Sequence, residues 1–347
     1  MTEPIVTSQI SQELFKAFVL SVTGFGLAML LTPIYTFIAY RYKFWKRQRT
    51  TTTTGEAITV FTKLHAKKFE RNIPTMAGTI ILAAILIVTL LFNLDKRQTG
   101  LPLLALIGGG IVGLLDDAIN IRGLGGGVKG LRSWIKFLMI TGVAAVGAWY
   151  FFVKLGYSSV YVPFWGPLEI GWLIIPLFIA AVVSTGNAVN ISDGLDGLAG
   201  GLLATAYGVF GVVALLQGNY GIAGFCFTVV GTLLSYIWFN IYPARFFMGD
   251  VGSFALGTAL GVVAMLTDTI FLLPIIGLVF VVEAGSSLLQ IASKRLLGRR
   301  VFISAPVHQH LEASGWPETK VTMRFWVIGQ VVGIIGLMLA VAGGLVG

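Results

Sequence analysis

Residues 171 to 201 read GWLIIPLFIAAVVSTGNAVNISDGLDGLAGG. The apolar part, 171 to 189, is long enough to cross a bilayer, because a hydrocarbon core of roughly 30 Å takes about 20 helical residues. It runs directly into two aspartates three apart among glycines, Asp193 and Asp196. An ionised carboxylate within hydrocarbon costs several kcal/mol unless it is paired, hydrated or bound to a cation. The reading of this stretch therefore turns on which side of a membrane it faces.

Outward from it, the chain of 347 residues is 56% hydrophobic and 11% charged, with 24 Phe and 44 Gly, and its mean hydropathy is +0.87. These values exclude an ordinary soluble domain. Apolar runs bounded by Gly, Pro, Asn or charge predict ten spans near 17–40, 73–93, 101–115, 134–153, 171–189, 197–217, 221–241, 253–268, 270–293 and 324–346. The expected fold is all-α, a polytopic membrane protein of about ten transmembrane helices forming one integral membrane domain over 1–347. Met1 to Glu13 lacks the basic start of a cleavable signal peptide, so the first span is expected to remain. The single cysteine, Cys226, cannot form an intrachain disulfide and lies in an apolar run, where it is expected to pack.

With both termini outside, the loops 41–72, 116–136, 187–197, 242–252 and 294–324 are cytoplasmic and hold 20 of the 24 lysines and arginines. That asymmetry is the positive-inside signature. The net charge of +9 thus belongs mostly to one face, where its expected partners are the lipid bilayer and phosphorylated substrates, not nucleic acid. The same topology sends Asp116, Asp117, Asp193, Asp196 and Asp250 to that face, each beside glycines. One or two such acids are ordinary helix caps. Five from three loops read as a site for a divalent cation and phosphate, because Mg²⁺ is held by one or two carboxylates together with waters and substrate phosphates.

The last of these loops carries APVHQHLEASGWPETKVTMRFW, 305–326, with His308 and His310. Without a nearby cysteine a zinc site is poorly supported, and histidines that hydrogen-bond or protonate phosphate oxygens suit the site better. GLGGGVKG, 123–130, contains a G-x-G-x-x-G match, but no strand precedes it and a dinucleotide fold is rejected. A loop placing Lys129, Arg132 and Lys136 near phosphates is the better reading. Glu283, in LVFVVEAGSSLLQ, fits either a proton or cation station in a transporter or a buried structural acid.

Together these loops resemble the phospho-N-acetylmuramoyl-pentapeptide transferase family. The likeness spans nearly the whole chain: IPTMAG at 73–78, GLLDD at 113–117, KGLRSWIK at 129–136, NISDGLDGLAGG at 190–201, FMGDVGSFALG at 247–257 and HQHLEASGWPETKVTMRFW at 308–326. The resemblance implies a cytoplasmic Mg²⁺ site and transfer of phospho-MurNAc-pentapeptide from UDP-MurNAc-pentapeptide to undecaprenyl phosphate, giving lipid I and UMP in peptidoglycan synthesis. It also implies that the chain can form a homodimer. Related enzymes transferring N-acetylglucosamine-1-phosphate to the same carrier lipid, and a cation-coupled transporter, are the alternatives.

Carried over by position, the resemblance assigns Asp116 and Asp117 to the aspartate pair, one of which deprotonates the lipid phosphate. Asp250 becomes a metal ligand together with Asp117, and His308 joins them as catalytic. Asn187, Asn190, Asp193, Gly194, Asp196, Asn240 and Phe247 fall in the nucleotide pocket, with Phe247 stacking on uracil. Thr75, Lys136 and His310 are further substrate contacts. Three positions depart from the family pattern: Gln309 separates two histidines where three are usual, Glu70 stands where a lysine is usual, and Trp134 replaces an arginine. Lys67, Lys68 or Arg71 is left to supply the cation missing at Glu70.

Overall fold

The computed structural model describes residues 3–45, 72–123 and 130–346. Lys67, Lys68, Arg71 and Lys129 lie outside the described residues. The chain is an all-α polytopic membrane protein. Its helices are α1 (Glu3–Arg41), α2 (Gly78–Phe92), α3 (Gly100–Arg122), α4 (Ser133–Trp149), α5 (Ile174–Ser192), α6 (Leu198–Leu216), α7 (Tyr220–Asn240), α8 (Gly249–Leu266), α9 (Leu273–Ile276), α10 (Leu278–Leu297), α11 (Val307–Ala313) and α12 (Glu318–Ala342). Among the described residues, eight helical stretches are long and apolar enough to cross a membrane, and α2 is a shorter apolar one. α10 is not among them: Gly277 separates it from α9, and it carries Glu283, Ser286, Gln290, Ser293, Lys294 and Arg295 in place of a continuous apolar run.

α8 is the axis of the bundle and is buried along nearly its whole length. Glycines let its neighbours approach. A β-carbon at Gly113 of α3 would lie 2.1 Å from the Asp250 carbonyl oxygen, and one at Gly109 would lie 2.4 Å from Thr258 Oγ1. Small residues four apart are the usual device for close helix packing in lipid, where dispersion and interhelical hydrogen bonds replace the hydrophobic effect. Thr258 Oγ1 adds one such bond, donating to the Ala105 carbonyl at 2.9 Å. On the other side, a β-carbon at Gly257 would lie 2.8 Å from Gly186 Cα of α5.

Two boundaries differ from the sequence expectation in ways that matter. α3 continues past residue 115 through Asp116 and Asp117 to Arg122, because DDAINIR contains no helix breaker and the left-handed Gly123 (φ 70°) ends it. α8 starts at Gly249, so Asp250 stands in its first turn. The two aspartate motifs thus sit on the facing ends of two closely packed helices.

A small antiparallel hairpin, β1 (Ser159–Val162) and β2 (Gly166–Glu169), follows α4, with Ser159 opposite Glu169 and Val162 opposite Gly166. Its turn is tied to the C-terminal end of α12, where Phe164 N–H donates to the Gly343 carbonyl at 3.0 Å. The hairpin and the turns at 93–99, 217–221 and 267–269 are joined to one another by hydrogen bonds at one end of the bundle. The opposite end gathers the aspartate motifs.

Candidate active site

The site begins with the approach of α3 to α8. Asp116 and Asp117 are both buried. As helix neighbours they point about 100° apart and meet different partners. Asp116 Oδ1 accepts the Leu131 backbone N–H at 2.6 Å, and its Oδ2 lies 3.4 Å from Lys136 Nζ. Gly130, at φ 95°, makes the first contact possible: a β-carbon there would fall 2.6 Å from the Asp116 carboxylate. Lys136 Nζ also lies 3.3 Å from Asp250 Oδ2, and 5.8 Å from the centre of the Phe254 ring. One ammonium therefore bridges carboxylates from α3 and α8.

Asp117 turns toward the start of α8, where its Oδ2 accepts the Val251 N–H at 3.1 Å. An acid at a helix N-terminus is favoured by the free N–H groups there. Gly249, at φ 78°, lies against the same oxygen: a β-carbon would come 2.5 Å from Asp117 Oδ2 and 2.9 Å from Thr75 Oγ1. Thr75 is buried, and its hydroxyl has no hydrogen-bond partner among the described residues. Its segment is held by pairing across the chain. Phe247 N–H donates to the Pro74 carbonyl at 2.8 Å, Ala77 N–H to Phe247 at 3.0 Å and Gly78 N–H to Met248 at 2.8 Å. The Tyr35 hydroxyl of α1 donates to the Thr75 carbonyl.

The loop between α5 and α6 is clipped to the loop after α7. Asn240 Oδ1 accepts the Gly197 N–H at 2.9 Å while its Nδ2 donates to the Phe246 carbonyl at 2.8 Å. Asp196 Oδ2 accepts the Ala244 N–H at 3.0 Å, and its own N–H donates to Glu318 Oε1 at 2.7 Å. Asn240 and Asp196 thus use polar atoms on backbone and tie the two loops together. Asn190 Nδ2 donates to Ser253 Oγ of α8 at 2.9 Å, and Asn187 Nδ2 to the Val183 carbonyl at 2.8 Å. Asp193 and Phe247 are half-buried on these two loops.

His308 and His310 part company. His310 Nδ1 accepts the Ile303 N–H at 3.3 Å, and its ring packs edge-on against Phe302 at 5.5 Å. It braces its own loop. His308 is buried, with Nδ1 2.7 Å from Glu283 Oε2, and its backbone N–H donates to Glu283 Oε1 at 3.2 Å. Glu283 is therefore paired and is not an isolated acid in an apolar helix. On the far side of the ring, a β-carbon at Gly194 would lie 2.3 Å from His308 Nε2.

Among the described residues, no three His, Cys, Asp or Glu side chains gather closely enough to hold a metal ion by themselves. An open set of oxygen donors fits a hard divalent cation that keeps waters and shares substrate phosphates, and does not fit zinc. Tyr35 left no sequence signal, being one tyrosine in an apolar run. The polar row that begins at Glu283 did leave one: Glu283, Ser286, Gln290 and Ser293 recur at intervals of three, four and three, which places them on one helix face.

The chain is similar to proteins of known family. The family model described as glycosyl transferase family 4 matches residues 100–268. A phospho-N-acetylmuramoyl-pentapeptide-transferase of Chloroflexus aurantiacus is 36% identical over 350 residues, covering 97% of this chain and 92% of its own. The protein of that name from Geobacillus kaustophilus is 41% identical over 292 residues, covering 80% of this chain and 86% of its own.

Proposed function

Since the chain belongs to the phospho-N-acetylmuramoyl-pentapeptide-transferase family, we propose that it transfers phospho-MurNAc-pentapeptide from UDP-MurNAc-pentapeptide to undecaprenyl phosphate, releasing UMP and forming lipid I. It does so on the cytoplasmic face of a bacterial inner membrane, with both chain termini outside. The observation that carries this reading is the meeting of Asp116 and Asp250 on Lys136, with Asp117 beside them at the start of α8.

The reaction joins two anions. A lipid phosphate oxygen bonds to the β-phosphorus of the donor as the bond from that phosphorus to the UMP oxygen breaks. Such transfers need positive charge at the phosphates and fixed geometry more than covalent help from the protein. Lys136 supplies one fixed charge, held by the two carboxylates until a phosphate arrives. Asp117 and Asp250 are the residues that would hold Mg²⁺, which when bound supplies charge stabilisation to the phosphoryl oxygens. Thr75 offers a hydroxyl beside Asp117, and Phe247 and Asn190 offer a ring and an amide for the nucleotide. The polar atoms of Asn240 and Asp196 keep the two pocket loops together.

The test is turnover by purified protein of UDP-MurNAc-pentapeptide with undecaprenyl phosphate and Mg²⁺, read as UMP release. UDP-N-acetylglucosamine serves as the rival donor. Lipid-dependent release with the first donor only, silenced reversibly by EDTA, is the expected result. Turnover with the second donor alone would move the chain to the related N-acetylglucosamine-1-phosphate enzymes. Substrate-driven ion flux in proteoliposomes without lipid phosphate would make it a transporter.

A further inference from the structure

Glu283 lies on α10, and the polar face it begins holds the whole loop that follows. Ser293 Oγ donates to the Arg299 carbonyl at 2.9 Å. Gln290 Oε1 accepts the N–H groups of Val301 and Phe302, each at 3.0 Å, and its Nε2 returns a bond to the Phe302 carbonyl at 3.0 Å. Ser286 Oγ accepts the Val307 N–H at 3.0 Å. Glu283 ends the series on His308. It alone in this row binds a side chain as well as backbone, and both partners are almost completely buried, at 0% and 1% side-chain exposure.

Two N–H groups of His308, the backbone one and Nδ1–H, point at the two oxygens of one carboxylate. A carboxylate accepts both; an amide cannot, because one of its two ends is a donor. The pairing fixes which ring nitrogen carries the first proton, and the other nitrogen follows from it. That other nitrogen, Nε2, is buried, has no hydrogen-bond partner among the described residues, and faces the backbone of Gly194 in the NISDGLDG loop.

We propose that Glu283 is a positioning residue for the transfer reaction: it locks His308 with Nδ1 protonated and Nε2 turned to the nucleotide loop. Nε2 is then the atom that takes the proton of the attacking lipid phosphate and returns it to the departing UMP oxygen. This rests on the transferase reading above. A ring with Nδ1–H bound to a carboxylate can carry a second proton at Nε2. A ring whose Nδ1 accepts from an amide is held as the neutral Nε2–H form, which can still donate a hydrogen bond but cannot take a proton there.

The test compares Glu283→Gln with Ser286→Ala, which loosens the same loop without touching the His308 ring. For Glu283→Gln, kcat should fall roughly 10²- to 10⁴-fold, the usual contribution of a positioned general acid–base. The KM for the nucleotide donor should change little. Nitrogen-15 spectra of protein labelled only in its three histidines, with His308 assigned through a His308→Gln variant, should show Nδ1 protonated in the wild type and unprotonated in Glu283→Gln. Ser286→Ala should keep the wild-type His308 signature and most of the turnover. Wild-type kcat in Glu283→Gln, an unchanged Nδ1 signal, or an equal loss in Ser286→Ala would each overturn the proposal. If the wild type lacks turnover with UDP-MurNAc-pentapeptide while the Nδ1 signal responds to Glu283→Gln, the donor assignment fails and the pairing stands.

Discussion

Among the described residues, the two ends of the bundle differ in how many buried polar groups they leave unbonded: Thr89 Oγ1 is one near the hairpin end, and the aspartate end has several. At the hairpin end, side chains spend their polar atoms on backbone. Gln98 Oε1 accepts the Gly221 N–H at 2.6 Å, Asn93 Nδ2 donates to the Gly221 carbonyl at 2.8 Å, and Gln217 Nε2 donates to Thr267 and Leu345 carbonyls at 2.8 and 3.2 Å. At the aspartate end, Thr75 Oγ1, Asn120 Oδ1 and His308 Nε2 are buried without a hydrogen-bond partner among the described residues. There, too, carboxylates from two helices crowd one ammonium. Buried polar groups are nearly always bonded, so a local group of exceptions calls for an explanation. One end is built to close the bundle. On the transferase reading proposed above, the other holds hydrogen-bonding capacity and charge for a ligand that comes and goes.

That contrast breaks most easily at Asp250. Asp250→Asn keeps the shape of the first turn of α8 and removes a charge from the pair facing Lys136. Turnover is expected to fall by roughly 100-fold or more, since ion-mediated charge stabilisation of a phosphoryl group is worth several kcal/mol. Added Mg²⁺ should rescue it poorly, and the thermal midpoint in detergent should move little. Near-normal turnover of the folded variant would remove Asp250 from the site.

Gly249→Ala tests whether the aspartate end depends on close backbone approach. The residue has φ 78°, and a β-carbon would press on Asp117 Oδ2 and Thr75 Oγ1 together. Strain of about 1–3 kcal/mol is expected from the left-handed conformation alone. The larger effect should be on turnover, about 10-fold, because both contacts belong to the proposed site. Loss of stability at full specific activity would make Gly249 a folding residue only.

At the hairpin end the expected sign reverses. Gln217→Ala leaves the Thr267 and Leu345 carbonyls short of a donor, at a cost of about 1–3 kcal/mol. The thermal midpoint should fall while the activity of the folded fraction stays unchanged. A selective loss of turnover would couple the two ends and end the division of labour.

Much of this division was legible in the sequence. The spans followed from apolar runs, and the acids of the aspartate end announced themselves beside glycines. What the sequence hid was nonlocal. Nothing in IPTMAG or FMGD alone says that 74–78 pairs with 247–248, or that Tyr35 reaches Thr75. Asp116 and Asp117 stand just past the apolar run that ends near 115, yet α3 runs on until Gly123 because polar residues do not end a helix without a breaker. The hairpin leaves no sequence signal because four-residue strands are too short for alternation to stand out. Glu283 and His308 each stand out in the sequence, but 25 residues separate them and only the packing of α10 against its own following loop joins them.

The smallest expected effect comes from Asp268, in the turn after α8, whose Oδ1 accepts the Tyr161 N–H at 2.8 Å and so ties the hairpin to the bundle. Burial pushes its carboxyl above the usual carboxylate range, with the Tyr161 hydrogen bond acting in the opposite direction. A folded-state pKa above the unfolded value of about 3.9 means that protonation favours the fold. That contribution is fully present below about pH 4 and is lost as pH rises through the raised pKa. At neutral pH the ionised group works slightly against stability. Asp268→Asn keeps an acceptor for Tyr161, removes the charge, and suits the left-handed backbone at φ 55°. Its thermal midpoint at neutral pH should equal or slightly exceed that of the wild type, and the decline between mildly acidic and neutral pH should flatten. Asp268→Ala loses the acceptor and is strained at that φ, so it should cost about 1–3 kcal/mol. Turnover should be unchanged in both variants. If Asp268→Asn were the more damaging of the two, the charge itself would be needed, and the hairpin end would share the property that sets the aspartate end apart.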